Sequence, residues 1–170
     1  MSKRALKTYL SDLSKPELEE QIVELYDRLK EVKSFYDFVF NPKEDKMLDT
    51  AKFAISKEYF PISSRRPKKR RSVAQNQIKT FIKLGVDPVV TSDLMLYNLE
   101  VALAYTADSE MNQTSFYKSM LKSFREALEF IDGAGLESHF NERVNQIIDK
   151  VIQQNWENKF AFERLMDERF

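Results

Sequence analysis

The chain has 170 residues, a length that suits one domain with a hydrophobic core of its own. Its hydrophobic fraction of 42% and charged fraction of 32% are typical of a soluble globular protein, and three Gly and five Pro leave little room for a turn-rich β architecture. The absence of Cys excludes a disulfide framework, a thiolate nucleophile and a cysteine-ligated zinc site. We therefore predict a single all-α domain over residues 1–170.

The formal net charge of zero conceals two halves of opposite sign. Residues 1–85 contain 19 Lys or Arg and 12 Asp or Glu, whereas residues 86–170 contain 8 and 15. Such a division favours attraction of an anionic partner to one end, or neutralisation of one half by the other within a chain or between copies.

The sequence offers no targeting or membrane-spanning segment. Residues 2–7 carry positive charge but no apolar stretch of the kind that a signal peptide needs. The most apolar window, Pro88 to Ala107, is interrupted by Asp93, Asn98 and Glu100 and is too polar for a membrane span. We expect a cytoplasmic protein with no membrane partner and no disulfide-linked partner.

The first half of the chain predicts helices with clear starts and stops. A short helix over Lys3 to Leu13 is followed by the capping sequence Ser14-Lys-Pro-Glu17, which starts a second one. From Pro16 to Phe40, apolar residues recur at heptad spacing and predict one helix of about 37 Å. These residues are Leu18, Ile22, Leu25, Leu29, Val32, Tyr36 and Val39. Further apolar residues widen the stripe, which favours packing inside a bundle and leaves a dimeric coiled coil open.

Proline and glycine divide the rest of the chain. Asn41-Pro42 ends the heptad helix, and the next helix ends at Phe60-Pro61. Residues 61–71 predict an exposed basic loop, followed by a helix that starts at Pro67 or Ser72 and ends before Gly85.

The second half predicts a buried central helix and three more around it. Asp87-Pro88 starts a helix that is apolar around its whole circumference, so we place it at the centre of the bundle, where its polar residues need hydrogen-bond partners. Gly133-Ala-Gly135 separates the next two helices, and aromatic residues from Trp156 to Phe170 predict a docked C-terminus. The total is seven or eight helices in a bundle, or in an α-solenoid, for which no repeated pattern is present.

The basic run Arg65 to Arg71 is the patch with the most distinct chemistry, because six of its seven residues are cationic. Such a run attracts phosphate groups or an acidic partner, and the helix behind it adds polar residues on an exposed side. The predicted binding residues are Arg65, Arg66, Lys68, Lys69, Arg70, Arg71, Gln75 and Lys79. Contact with nucleic acid, docking on a protein partner or on the acidic half, and plain solvated charge all remain open.

No catalytic or cofactor motif is present. His139 is the only histidine, so we interpret it as a surface or capping residue. The acidic residues Glu126, Glu129 and Asp132 share a helical face that suits a divalent cation or, more simply, solvent. The three Gly match neither a phosphate-binding loop nor a dinucleotide fingerprint. We predict no cofactor, no metal and no catalytic residue.

An enzyme with an unrecognised carboxylate site is the least favoured alternative. It needs a deep pocket lined by Asp93, Glu100 or other buried acids. Pairing of these acids with an arginine would remove it.

Five segments within residues 2–97 resemble a family of short bacterial proteins that is known only as a domain of unknown function, and the resemblance extends over nearly the whole chain. They are Ser2–Leu10, Tyr36–Lys46, Arg71–Gln75, Leu84–Pro88 and Leu94–Tyr97. The resemblance implies a bacterial, cytoplasmic, helical protein and brings no catalytic residues.

Our leading hypothesis is a non-enzymatic helical interaction or adaptor module that binds another macromolecule, with a protein partner or self-association ahead of nucleic acid. The alternative is a nucleic-acid-binding protein that uses the basic run 65–71 and the helix after it.

Overall fold

The structure is a computed structural model that describes residues 2–63 and 65–168. These residues form nine α-helices and no strand, which confirms the all-α class. The helices are α1 (Lys3–Ser11), α2 (Lys15–Arg28), α3 (Lys30–Phe40), α4 (Glu44–Tyr59), α5 (Arg71–Leu84), α6 (Pro88–Asp108), α7 (Thr114–Gly133), α8 (Glu137–Gln153) and α9 (Lys159–Asp167). They fall into two compact units that divide between Lys43 and Glu44.

The prediction of one long helix from Pro16 to Phe40 is wrong, and this error accounts for a helix count above seven or eight. Leu29 adopts an extended backbone, with φ −116° and ψ 112°, and separates α2 from α3. The bend allows the Tyr26 hydroxyl to donate to Asp37 Oδ1 at 2.7 Å. In a straight helix these residues would be about 16 Å apart along the axis, so the bond requires the chain to fold back.

The N-terminal unit, residues 2–43, has well-formed helix ends but no core. The predicted capping box at the start of α2 is confirmed, and the Glu17 carboxylate accepts from the Ser14 N–H at 2.8 Å. None of the described residues of this unit is buried. Its apolar side chains therefore remain available for contact.

The helix ends of the second unit, residues 44–168, follow the local sequence signals. Gly85 ends α5 in the left-handed region, with φ 72°, and Asp87 caps α6 by accepting from the Val89 N–H at 2.7 Å. Gly135 also has a positive φ, 66°, and lies in the turn between α7 and α8. The predicted ends and starts at these positions are confirmed.

Helix α6 lies at the centre of the second unit, as its apolar circumference predicts. It contacts α4, α5, α7 and α8, and ten of its residues are buried. Its leucines are fully buried, as are Ile55 of α4, Phe81 of α5 and Phe124 of α7 on the helices that it contacts. This packing holds the end of α4 and the start of α5 in place.

The aromatic residues near the C-terminus also pack into this unit. The Trp156 ring lies 5.9 Å from that of Phe116 and 5.8 Å from that of Phe162, and all three are buried. The prediction of a docked C-terminus is therefore confirmed for Trp156 and Phe162, whereas Phe160 is 70% exposed. Phe170, which the same prediction included, lies outside the described residues.

Candidate anion-binding groove

The basic run lies in the connection between α4 and α5. Residues 60–63 and 65–70 form no regular helix or strand, and Arg71 is the first residue of α5. The Lys69 N–H donates to the Glu58 carbonyl at 2.9 Å, with Lys69 at φ 52°. This bond fixes the end of the loop against the last turn of α4.

Arg70 is held by a carboxylate of the same unit. Its Nη2 donates to Glu58 Oε1 at 2.7 Å, and its Nε donates to Glu58 Oε2 at 2.9 Å. The backbone N–H of Arg70 adds a third bond, at 3.2 Å. The fork of hydrogen bonds from Arg70 holds the pKa of Glu58 below its usual value, although burial alone would raise it.

Arg71 and Lys69 contact helices of the acidic half. Arg71 donates from Nε to Ser123 Oγ at 2.9 Å and from Nη2 to Glu126 Oε2 at 2.5 Å, so it joins α5 to α7. The Lys69 ammonium lies 5.2 Å from the centre of the Tyr105 ring on α6, a cation–π contact. Half of the cationic run is therefore engaged within the protein.

The other half of the run is solvated. Arg65, Arg66 and Lys68 are exposed and make no ion pair and no side-chain hydrogen bond with the described residues. They lie around a groove of about 430 Å³ between the last turn of α4 and the loop. Ile62, which is 76% exposed, gives the groove an apolar side, and Glu58 marks its acidic end. We call this feature the basic groove.

The helix residues assigned to the same site lie elsewhere. Gln75 is half-buried on α5 and Lys79 is exposed one turn further on, and neither lines the basic groove. Sequence reasoning missed Lys57, Glu58 and Ile62, all of which line it. The sequence did contain a signal for these residues. The last turn of a helix and the first residues after it must lie beside the loop that follows.

The partly buried acids of α6, Asp93 and Glu100, pair with cations. Arg143 of α8 donates from Nε to Glu100 Oε1 at 2.6 Å and from Nη1 to Asp93 Oδ1. Lys52 of α4 pairs with the other oxygen of Asp93 at 2.5 Å. Both acids thus meet the condition that removes them as a catalytic carboxylate pair. Asn98, the third polar residue of this helix, is buried, and its Nδ2 has no partner among the described residues.

His139 is exposed on α8. Its ring lies 4.7 Å from that of Phe140, and its backbone N–H donates to the Leu136 carbonyl at 3.0 Å.

The acidic row on α7 does not assemble a metal site. Glu126 of that row pairs with Arg71. Over the described part of the chain, no three His, Asp or Glu side chains come together to hold a metal ion.

A larger hollow of about 560 Å³ lies at the C-terminal end of α6. Several polar side chains that line this hollow already have partners: Gln154 accepts from Thr106 at 2.6 Å and from the Trp156 indole at 3.1 Å. The Tyr117 hydroxyl donates to the Met111 carbonyl at 2.8 Å. The basic groove has three exposed cations that form no ion pair with the described residues, and it is the stronger candidate for binding.

The nine helices and the groove define a class: an all-helical protein with a cation-lined surface groove between two helix ends. Along the residues that the structure describes, no helix is long and apolar enough to cross a membrane. The chain also lacks the Cys needed for a disulfide-linked partner.

The comparison with known families identifies the chain more closely. The model of DUF6155, a family of unknown function, matches residues 1–170, so the chain belongs to that family and the resemblance seen in the sequence is confirmed. No curated protein and no solved structure matches it.

Proposed function

We propose that this chain is a non-enzymatic helical interaction module that binds an acidic segment of a partner protein in the basic groove. The observation that carries the proposal is the division of the basic run. Arg70 and Arg71 are held by carboxylates, whereas Arg65, Arg66 and Lys68 are exposed, form no ion pair with the described residues and line a concave surface. The charge of Lys68 helps to lower the pKa of Glu58, but the two side chains form no ion pair. Exposed guanidinium groups bind carboxylates through paired hydrogen bonds, which suits Asp and Glu side chains.

The surroundings of these cations favour a protein partner over nucleic acid. Ile62 lines the groove and is 76% exposed, so the site offers an apolar contact that a phosphate backbone does not use. A long polyanion would also be repelled by the net negative second half of the chain, which carries 15 Asp or Glu against 8 Lys or Arg. A short acidic segment with an aliphatic or aromatic residue fits both features.

Charge reversal of the three solvated cations tests the proposal. The groove variant is Arg65→Glu, Arg66→Glu and Lys68→Glu. The control, Lys46→Glu, Lys83→Glu and Lys118→Glu, makes the same change of net charge at exposed cations outside the groove. Fluorescence anisotropy is measured with a labelled peptide that alternates Glu with Leu and Phe, and with a random single-stranded oligonucleotide of equal charge, at about 50 and 200 mM salt.

We expect the wild-type chain and the control to bind the peptide, and the groove variant to lose at least about 30-fold in affinity. Binding of the oligonucleotide alone, with a steep dependence on salt, would replace the proposal by the nucleic-acid alternative. Equal peptide binding by the groove variant and the control would refute the proposal. No binding of either probe would refute both the proposal and the nucleic-acid alternative.

A further inference from the structure

Several large apolar side chains of the N-terminal unit are exposed. Ile22 and Phe35 are each 43% exposed, Leu25 is 46% exposed, and Phe40 is 81% exposed. No described residue of this unit is buried, whereas the second unit contains every buried side chain of the described chain. Large apolar surfaces of this kind mark sites of association.

These side chains form a defined surface on the α2–α3 hairpin. Ile22 and Leu25 of α2 and Val32, Phe35 and Tyr36 of α3 line a groove of about 370 Å³, in which Glu31 is the only charged residue. The Phe40 ring stacks on that of Tyr36 at 6.0 Å and forms an aromatic ridge beside the groove. We call Ile22, Leu25, Val32, Phe35, Tyr36 and Phe40 the hairpin face.

The amount of exposed apolar surface is close to what one side of a dimer needs. Four side chains of the hairpin face, Ile22, Leu25, Phe35 and Phe40, are 43–81% exposed. A fully buried aromatic side chain covers about 150–250 Å², so this face exposes on the order of 400 Å² of apolar surface. A stable interface buries about 800 Å² on each partner, and somewhat more than half of that area is apolar. The aromatic ridge supplies the kind of residue that anchors such interfaces.

The balanced charge of the N-terminal unit favours a second copy of this unit over a strongly charged partner. Residues 1–43 contain 8 Lys or Arg and 8 Asp or Glu, so two copies of this unit meet without net repulsion. Because the same hairpin carries both a groove and an aromatic ridge, a two-fold arrangement places the ridge of each copy in the groove of the other. We propose that the hairpin face binds the hairpin face of a second copy of this chain.

Sedimentation equilibrium of the full chain tests this dimer. The variant Ile22→Glu, Phe35→Glu places charge in the groove. The control, Phe53→Glu, Phe160→Glu, places the same charge on side chains of the second unit that are 55% and 70% exposed. We expect the wild type and the control to dimerise. The dissociation constant of the Ile22→Glu, Phe35→Glu variant should be at least roughly 100-fold higher than that of the wild type.

Cross-linking gives a readout that does not depend on a disruptive substitution. The natural chain has no Cys, so single cysteines can be introduced without background. Chains with Ile22→Cys are mixed with chains with Phe40→Cys and treated with a short bismaleimide. We expect a mixed dimer to form much faster than in a control mixture of Ile22→Cys with Phe160→Cys.

Each other outcome overturns the proposal. A wild-type chain that stays monomeric over the whole concentration range shows that the hairpin face has no second copy as its partner. If the Ile22→Glu, Phe35→Glu variant still dimerises and the mixed cross-link forms no faster than in the control mixture, another surface mediates the association. Slow hydrogen exchange of α2 and α3 in a monomeric wild type would assign their cover to the rest of the same chain.

Discussion

Asp93 illustrates how a single charged residue is tolerated at the edge of the core. It is about one quarter exposed and lies between Lys52 and Arg143, which approach its two carboxylate oxygens from opposite helices. Burial raises the pKa of Asp93, but the hydrogen bonds and charges of Lys52 and Arg143 outweigh burial and hold the pKa below its ordinary value. The carboxylate therefore joins α4, α6 and α8 in its ionised form.

A lowered pKa makes this junction sensitive to acid. The stabilisation is fully present above the unfolded pKa of about 3.9 and is lost as the pH falls through the lower folded value. We expect Asp93→Asn to reduce the free energy of unfolding by about 2 kcal/mol at neutral pH, because Lys52 and Arg143 lose their shared partner. The difference between the two proteins should shrink as the pH falls below about 4.

Urea denaturation at a series of pH values measures this effect. Asp149→Asn is the control, since Asp149 is exposed and forms no ion pair with the described residues. A gap between wild type and Asp93→Asn that stays constant down to pH values well below 4 would contradict the assignment of the ionised carboxylate to this junction.

The basic run shows where sequence reasoning stops at this scale. Arg66 and Arg70 have the same chemistry and lie four residues apart, so the sequence gives no reason to treat them differently. Their roles diverge because Glu58 lies beside Arg70 only when the end of α4 is folded against the loop. The local concentration of charge was predictable, but its division between internal pairs and solvent depends on tertiary contacts.

At the scale of elements, Arg71 attaches the start of α5 to α7. Its guanidinium bonds to the buried Ser123 and to Glu126, and its side chain is only 22% exposed. We expect Arg71→Ala to lower stability by about 1–2 kcal/mol, or a few degrees in Tm, because both partners lose a charged donor. Arg66→Ala, which removes the same side chain from solvent, should leave Tm nearly unchanged.

Thermal unfolding followed by circular dichroism compares these two variants. Equal Tm values would mean that the contact between Arg71 and α7 contributes nothing to the attachment of α5. A large loss of stability in Arg66→Ala would mean that the solvated half of the run also docks internally.

Helix ends were largely predictable because their signals are local. Ser14, Gly85 and Asp87 each satisfy a backbone requirement of the helix terminus beside them, whatever the rest of the fold does. The bend at Leu29 was not predictable, since neither Gly nor Pro occurs there and the heptad spacing continues across it. Periodicity shows which residues form an apolar face. The backbone conformation of Leu29 decides whether those residues lie on one helix or on two.

At the scale of the whole molecule, the charge polarity lies within the second unit. Residues 44–85 carry the excess of Lys and Arg, residues 86–170 carry the excess of Asp and Glu, and residues 1–43 are balanced. Arg71 and Glu126 join these two oppositely charged parts. The overall asymmetry was visible in the sequence, but its partial neutralisation within one unit needed the fold.

The division of burial between the two units leads to a final prediction. Every buried side chain among the described residues lies between Ala51 and Leu165, in the second unit. We expect a chain truncated to residues 44–170 to keep its helical circular dichroism and a cooperative thermal transition close to that of the full protein. Residues 1–43 alone should be largely unfolded, because helices of 9, 14 and 11 residues without a core are marginal in water. Loss of the cooperative transition in the truncated chain would show that the core of the second unit depends on the N-terminal helices, although none of their described residues is buried.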